Sequence, residues 1–217
     1  MKRILITGDT HGRWNYLNDL IGTMEPDETW VCGDFGYWPN IHPMFDNVHG
    51  GIVRWCDGNH EDHMELRNLE NAEIAPNVFY MPRGSHITLD DGRNVLFFGG
   101  GYSIDRHLRG KYSPDFGWFP QEEASVNDMY NIDADLEDVD VVISHTCPLE
   151  VMETFVPYDR GYGHYASEYT MSRIFEMFQP KEWYFGHWHR NKTGNHLGCQ
   201  WTCLTDAPYG GWHTWLT

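Results

Sequence analysis

Positive charge is what this chain has least of: 15 lysines and arginines stand against 32 aspartates and glutamates in 217 residues, a formal net charge of −17. Such a field repels a phosphate backbone, so tight binding to duplex nucleic acid is disfavoured unless bound cations and local arginines reverse the sign inside a cleft. Cysteine is scarce too. The five, Cys32, Cys56, Cys147, Cys199 and Cys203, form neither a zinc knuckle nor a paired framework. Cys32 and Cys56 lie within apolar runs, where a free thiol is ordinary core, and the alternation around Cys199 and Cys203 puts both on one face of a strand. No stretch approaches the length of a membrane span, and Met1-Lys2-Arg3 leads into a strand-like run rather than the apolar segment of a signal peptide. No membrane partner is expected, and the reducing cytoplasm is the expected compartment. Repeats, low-complexity tracts and a second domain boundary are all missing, so residues 1–217 read as one domain, long enough to bury a substantial core without staples.

What the chain does have is a recurring layout. Five apolar runs end in side chains able to bind a metal: Ile4 to Thr7 before Gly8-Asp9-Thr10-His11-Gly12, Thr29 to Cys32 before Gly33-Asp34, and Ile52 to Cys56 before Asp57-Gly58-Asn59-His60-Glu61. Val141 to Ser144 precedes His145, and Trp183 to Phe185 precedes Gly186-His187-Trp188-His189. A short buried strand that hands a polar side chain to the loop beyond its C-terminal edge suits the crevice of an open α/β sheet. Asp34 is the natural centre, because a carboxylate can bridge two cations and a neutral imidazole cannot. Side chains two apart on an extended segment share a face, which pairs Asp9 with His11 and His187 with His189. Such oxygen and nitrogen donors suit manganese, iron, zinc or nickel rather than a thiolate-loving ion.

Between these runs, Trp14, Leu17, Leu20 and Ile21 have the spacing of a covering helix, and a short irregular helix is expected at 41–48. A further helix should begin at Glu61 and run to Leu69. Strands are expected at 78–81, 86–89 and 94–98, the last two joined by the hairpin signal Asp91-Gly92, and these begin a second sheet. Gly99-Gly100-Gly101 marks a place where the backbone bends or approaches something closely. Helix is expected after Pro120, over 121–129, then an exposed acidic turn of helix and loop at 133–140. A helix over 167–178 buries Ile174, Phe175 and Phe178, and the alternating tail 196–204 adds a strand to the second sheet. The segment 148–166, dense in tyrosine and glycine, reads as a cap loop over a cleft, with His164 inside it.

Taken in order, Asp9-x-His11, Gly33-Asp34, Gly58-Asn59-His60-Glu61, His145 and Gly186-His187-x-His189 resemble the motif series of the calcineurin-like metallophosphoesterase superfamily. The stretches Gly99-Gly100-x-x-Ser103-x-Asp105-Arg106 and Trp118-x-Pro120-x-Glu122 are similar to those beside the cleft of its smaller bacterial and phage-type members. The resemblance implies an α/β fold, a four-layer αββα sandwich of two mixed β-sheets flanked by helices. It implies two divalent metal ions per chain about 3.5–4 Å apart, manganese first and iron, zinc or nickel as alternatives. Asp9, His11, Asp34 and His189 would surround one, and Asp34, Asn59, His145 and His187 the other. The reaction implied is hydrolysis of a phosphate-ester substrate by in-line attack of metal-activated water, with His60 at the leaving group.

Within the superfamily, a protein serine/threonine phosphatase and a nucleotide phosphodiesterase or pyrophosphatase are the alternatives. The phosphoprotein phosphatases continue their second motif to Asp-Arg-Gly, where this chain has Phe35-Gly36-Tyr37, and place an arginine where Asp57 stands. Arg106, Arg109 and His164 are therefore the expected substrate contacts, an arginine fork being able to hold two phosphate oxygens. Either arginine could instead pair with a nearby acid and fix its loop, Arg109 being the one expected to be more exposed. A non-catalytic metal-binding module is the reading from a different class. Against it stands His60, since structural zinc closes its shell with four ligands and needs no adjacent acid.

Overall fold

Strands that are apolar on both sides must be covered on both sides, and several strands here are of that kind. In β7 (Asn94–Phe98), Val95 and Phe97 point one way and Leu96 and Phe98 the other; in β8 (Val141–Ser144), Val141 and Ile143 oppose Val142. The computed structural model, which describes residues 2–113, 116–156 and 165–217, satisfies both faces with a four-layer sandwich. One sheet runs β12 (His213–Trp215), β1 (Ile4–Thr7), β2 (Glu28–Val31), β3 (Ile52–Trp55), β5 (Val78–Tyr80), β4 (Glu73–Ala75). The other runs β10 (Lys192–His196), β11 (Cys199–Cys203), β9 (Glu182–Phe185), β8, β7, β6 (His86–Thr88). Each is mixed: parallel pairings link the four inner strands, and an antiparallel strand closes each edge.

Ile4, Ile6, Trp30, Phe97, Ile143 and Tyr184 fill the space between the sheets. Trp30 is fully buried there, and truncating an aromatic of that kind costs about 3–5 kcal/mol. On the outer face of the first sheet, Leu17 and Ile21 of α1 (Trp14–Met24) and Leu66 of α2 (His63–Arg67) pack on Val31, Val53 and Trp55. On the outer face of the second, Val151 of α3 (Leu149–Met152) and Met171, Ile174 and Phe175 of α4 (Ala166–Phe178) cover Leu96, Val142 and Trp183. Asp62 starts α2 by accepting from the backbone N–H groups of Met64 and Glu65 at 3.1 and 3.2 Å, the usual remedy for the unpaired donors of a first turn. Among the described residues no helix is long and apolar enough to cross a membrane.

The αββα sandwich is thus the architecture expected, with local corrections. Val78–Tyr80 joins the first sheet, beside β3, rather than beginning the second. Residues 41–48 and 133–140 form turns without helix, and 121–129 contributes two short 3-10 turns, Pro120–Glu122 and Val126–Asn131. In the tail, β11 is the strand expected in the second sheet, and β10 precedes it in a hairpin that turns at Leu197 and Gly198, both in the left-handed region. Phe178 is only partly buried at the end of α4.

Candidate metal centre

The metal-capable residues sit in loops immediately beyond the C-terminal ends of β1, β2, β3, β8 and β9. Their backbones are unusual. His11, Asp34, His187 and His189 have φ of 48°, 46°, 62° and 49°, left-handed values that cost about 1–3 kcal/mol each and persist only where the surroundings impose them. One such restraint is the Asp34 carbonyl, which accepts from the N–H groups of both Thr10 and His11 at 3.1 and 2.7 Å. The glycines of the motifs make room for the carboxylates: a Cβ on Gly58 would lie 2.1 Å from Asp34 Oδ1, and one on Gly186 1.9 Å from Asp9 Oδ1.

Two groups of donors result. In the first, His189 Nε2 lies 3.0 Å from Asp9 Oδ2 and 3.2 Å from His11 Nε2. In the second, Asn59 Oδ1 lies 3.0 Å from His145 Nε2 and 2.9 Å from His187 Nδ1, and these two nitrogens are 3.2 Å apart. Asp34 stands between the groups. Its Oδ2 is 3.6 Å from His11 Nδ1 and its Oδ1 3.4 Å from His145 Nε2. Asp9 also reaches toward both, since its carboxylate accepts the His187 backbone N–H at 3.0 Å and lies 3.9 Å from His145 Nδ1.

Hydrogen bonding accounts for the second group only in part, since the ring of His187 is the one member able to place a proton among them. His145 Nδ1 faces the Cys32 carbonyl at 2.8 Å, so the proton of the neutral ring is there and Nε2 presents a lone pair. Asn59 Oδ1 also presents lone pairs. At 3.0 Å these two atoms repel unless a proton on His187 Nδ1 or a cation lies among them. The electrostatics point the same way. Burial alone would raise the Asp34 carboxyl, yet the imidazoles of His145, His60, His11 and His187 hold it well below the usual carboxylate range. Burial, reinforced by His145, pushes His187 well below the usual histidine range, whereas the hydrogen bond to Asp9 raises His189 to about 9. Once a cation displaces the proton of His189, neutral imidazole, amide oxygen and ionised carboxylate form a donor set that fits two divalent cations of the manganese-to-zinc kind.

A cleft of about 360 Å³ opens over the donors, with Asp34, Asn59, His60, His187 and His189 in its floor and Tyr102, Trp188 and Arg190 in its walls. The Asp34 carboxylate accepts the His60 backbone N–H at 2.8 Å, and the His60 ring sits edge-on to His11 with centroids 5.3 Å apart. Burial lowers the His60 pKa, partly opposed by Asp34.

Neither Arg106 nor Arg109 is among the residues lining this cleft. Arg106 stacks on Tyr102 and pairs with Glu123 at 3.6 Å. Arg109 is the less exposed of the two, reversing the expectation: its guanidinium bonds Glu122, Gly117 O and Ser103 and pairs with Asp105. His164 lies outside the described residues, as does much of the expected cap 148–166; of the remainder, α3 packs on α4 and Val156 reaches the cleft wall.

Two further carboxylates support the site, Asp206 without a signal in the sequence and Glu61 as the unassigned last residue of the Gly58-Asn59-His60-Glu61 motif. Asp206 lies 3.7 Å from His189 Nδ1 and is itself bonded by Arg13 at 3.0 Å, the outer carboxylate that commonly orients a metal-binding imidazole. Glu61, fully buried, accepts from the backbone N–H groups of Gly58 at 2.7 Å and Gly36 at 3.3 Å and so ties together the loops carrying Asn59 and Asp34.

A family model described as calcineurin-like phosphoesterase matches residues 2–191. No curated protein matches the sequence. Among solved structures, a phosphopantetheinyl hydrolase from Mycobacterium tuberculosis is 13% identical over 99% of this chain and 95% of its own, with a TM-score of 0.63. A putative 5′-nucleotidase from Staphylococcus aureus is 12% identical, with 94% of this chain and 48% of that one covered and a TM-score of 0.55. GAP50, described as the anchor in the inner membrane complex of Plasmodium, is 12% identical, with 99% and 77% covered and a TM-score of 0.52. At these identities the likeness is one of fold.

Proposed function

The chain belongs to the calcineurin-like phosphoesterase family, and on that premise we propose that it is a cytoplasmic, metal-dependent hydrolase of phosphate esters. Asp9, His11, Asp34 and His189 hold one divalent ion, Asp34, Asn59, His145 and His187 the other, and manganese is the metal expected at both. The observation that carries the reading is the Asp34 carboxylate, which offers one oxygen to each group of donors at 3.6 and 3.4 Å. Bound there, divalent cations supply Lewis acidity toward a phosphoryl group and acidify water.

The protein's own side chains supply the rest. Asp34 brings negative charge between two sites, the first of which has the Asp9 carboxylate besides and the second of which otherwise relies on neutral imidazole and amide. His60, held at the cleft floor by its backbone bond to Asp34, faces the ester. Burial favours its neutral form, and the negative charge of a phosphate ester beside the ring restores the proton, which then passes to the leaving oxygen. Tyr102 and Trp188 in the walls suit a leaving group with an aromatic ring, which favours aryl or nucleotide esters over a phosphoprotein.

The test is hydrolysis by manganese-loaded protein of aryl monoesters, diesters, cyclic nucleotides, dinucleoside polyphosphates and a phosphopeptide. Turnover that chelation abolishes and manganese restores is the expected result. A protein that holds manganese and turns over none of them would be the non-catalytic module. His60→Ala should keep the metal and lose about 10²–10⁴-fold in turnover, more with an alkyl leaving group than with nitrophenolate; equal losses would reject leaving-group protonation.

A further inference from the structure

Asn59 presents two faces of almost the same shape, an oxygen that accepts and an amino group that donates. Only one is useful to a cation. An amino group turned toward His145 Nε2 and His187 Nδ1 would hydrogen-bond their lone pairs and close the second site; the oxygen leaves three lone-pair atoms converging. What selects the oxygen lies behind the amide, in the loop after the glycine run. Asn59 Nδ2 is 2.9 Å from Ser103 Oγ. The single hydroxyl proton of Ser103 goes to Glu122 Oε2, and Arg109 Nη2 donates to the same serine oxygen. Toward Asn59 the serine can therefore only accept, so the amide must show it the amino face.

We infer that Ser103, with Glu122 and Arg109 holding its proton and lone pairs, is a positioning residue that fixes the Asn59 amide with its oxygen toward the second cation site. Glu122 is well placed to hold its side of the network. It is fully buried, its Oε1 accepts the Phe119 backbone N–H at 3.1 Å, and Arg109 Nη2 lies 3.0 Å from its Oε2. Arg109 Nη1 reaches the Asn59 carbonyl at 3.4 Å, and the Gly101 N–H bonds the Glu122 carbonyl at 2.9 Å, so the loop is tied to both ends of the relay. Gly101 allows the approach: a Cβ there would lie 2.9 Å from the His145 ring. The inference rests on the reading of Asn59 as a metal ligand.

Manganese titration calorimetry tests it at pH 8, above the value of about 7 to which burial raises Glu122. Wild type should take up two ions. Ser103→Ala should weaken one of them about 10–100-fold, the usual effect of losing a partner behind a metal ligand, and leave the other unchanged. In an Asn59→Asp background the side chain has no wrong face, and Ser103→Ala should then change affinity by no more than about twofold. Glu122→Gln gives a second route: Phe119 retains the remaining oxygen, the new amino group meets Ser103, and the freed serine proton can turn to Asn59, with the same loss expected. Equal losses in the native and Asn59→Asp backgrounds, or no loss in either Ser103→Ala or Glu122→Gln, would overturn the inference while leaving the metal reading intact. A wild-type protein that takes up no manganese would overturn both.

Discussion

Where β1 and β2 begin, Glu28 is met by Lys2 at 2.8 Å and by Arg54 at 3.0 Å; nearby, Arg93 lies 3.1 Å from Glu182 and Lys181 lies 2.7 Å from Asp140. Where the same sheets' strands end, Asp9 and Asp34 are fully buried and, among the described residues, meet imidazoles but no lysine or arginine. One rim balances its charges within the chain. The other gathers carboxylates, lone-pair donors and left-handed backbone around a point where, among the described residues, Asp9 and Asp34 form ion pairs with histidine alone. Ordinary scaffold chemistry explains the first, and the second makes sense as a receptor for cations brought from outside, in a protein whose own cations are few.

Asp34→Asn should break that contrast most severely. It removes the charge shared by the two sites, and a Lewis-acid contribution of several kcal/mol corresponds to a loss of roughly 10³–10⁴-fold in turnover. Phosphatase assays with elemental analysis would show it, and a variant that kept both metals and its rate would put Asp34 among the scaffold residues. Next is Glu168, fully buried, with Oε1 accepting from Thr146 at 2.8 Å and Oε2 unpartnered among the described residues. Burial raises its pKa from 4.5 to about 7. The stability carried by the protonated carboxyl is thus fully present below about 4.5 and lost as pH rises through about 7. Glu168→Gln stays neutral throughout, so unfolding curves should show little change at pH 4.5 and a gain of about 2–3 kcal/mol at pH 8; a gain independent of pH would contradict the burial argument.

Arg54→Met tests the opposite rim. Glu28 loses a charged hydrogen bond, for a destabilisation of about 1.5–3 kcal/mol, while manganese content and turnover stay at wild-type levels; altered metal binding would mean that the rims are coupled. Arg106→Lys should do least. Its partly exposed pair with Glu123 is worth about 0–1 kcal/mol, and KM for an aryl phosphate should stay within about twofold. A larger rise in KM would bring Arg106 back to the substrate.

The rim proposed to bind cations is also the part most legible in the sequence. Asp9, His11, Asp34, Asn59, His145, His187 and His189 each follow an apolar run directly, and the chain needs no long-range information to put them at strand ends. Their assembly does need it, and there the series as a whole carried the reading. What stayed hidden depends on distant pairing. β12 is three residues whose partner is β1, at the other end of the chain, and no periodicity marks it. Asp206 acquires meaning only beside His189, and Glu122, though part of a stretch that resembles those beside the cleft, shows its partner only where it meets Ser103. The sequence leaves open whether Arg109 meets substrate or an acid, because its neighbours there, Leu108 and Gly110, say nothing of Glu122, which folds back onto it. Proline and acidic composition suggested helices at 121–129 and 133–140, but too few apolar positions recur there to give a helix a buried face.

Anomalous diffraction from manganese-soaked crystals tests the account most directly. Two manganese peaks about 3.5–4 Å apart, with the Asp34 carboxylate between them and Asn59 Oδ1 facing the one beside His145 and His187, is the predicted result. A single peak, or two peaks with Asp34 bound to neither or to only one, would contradict it.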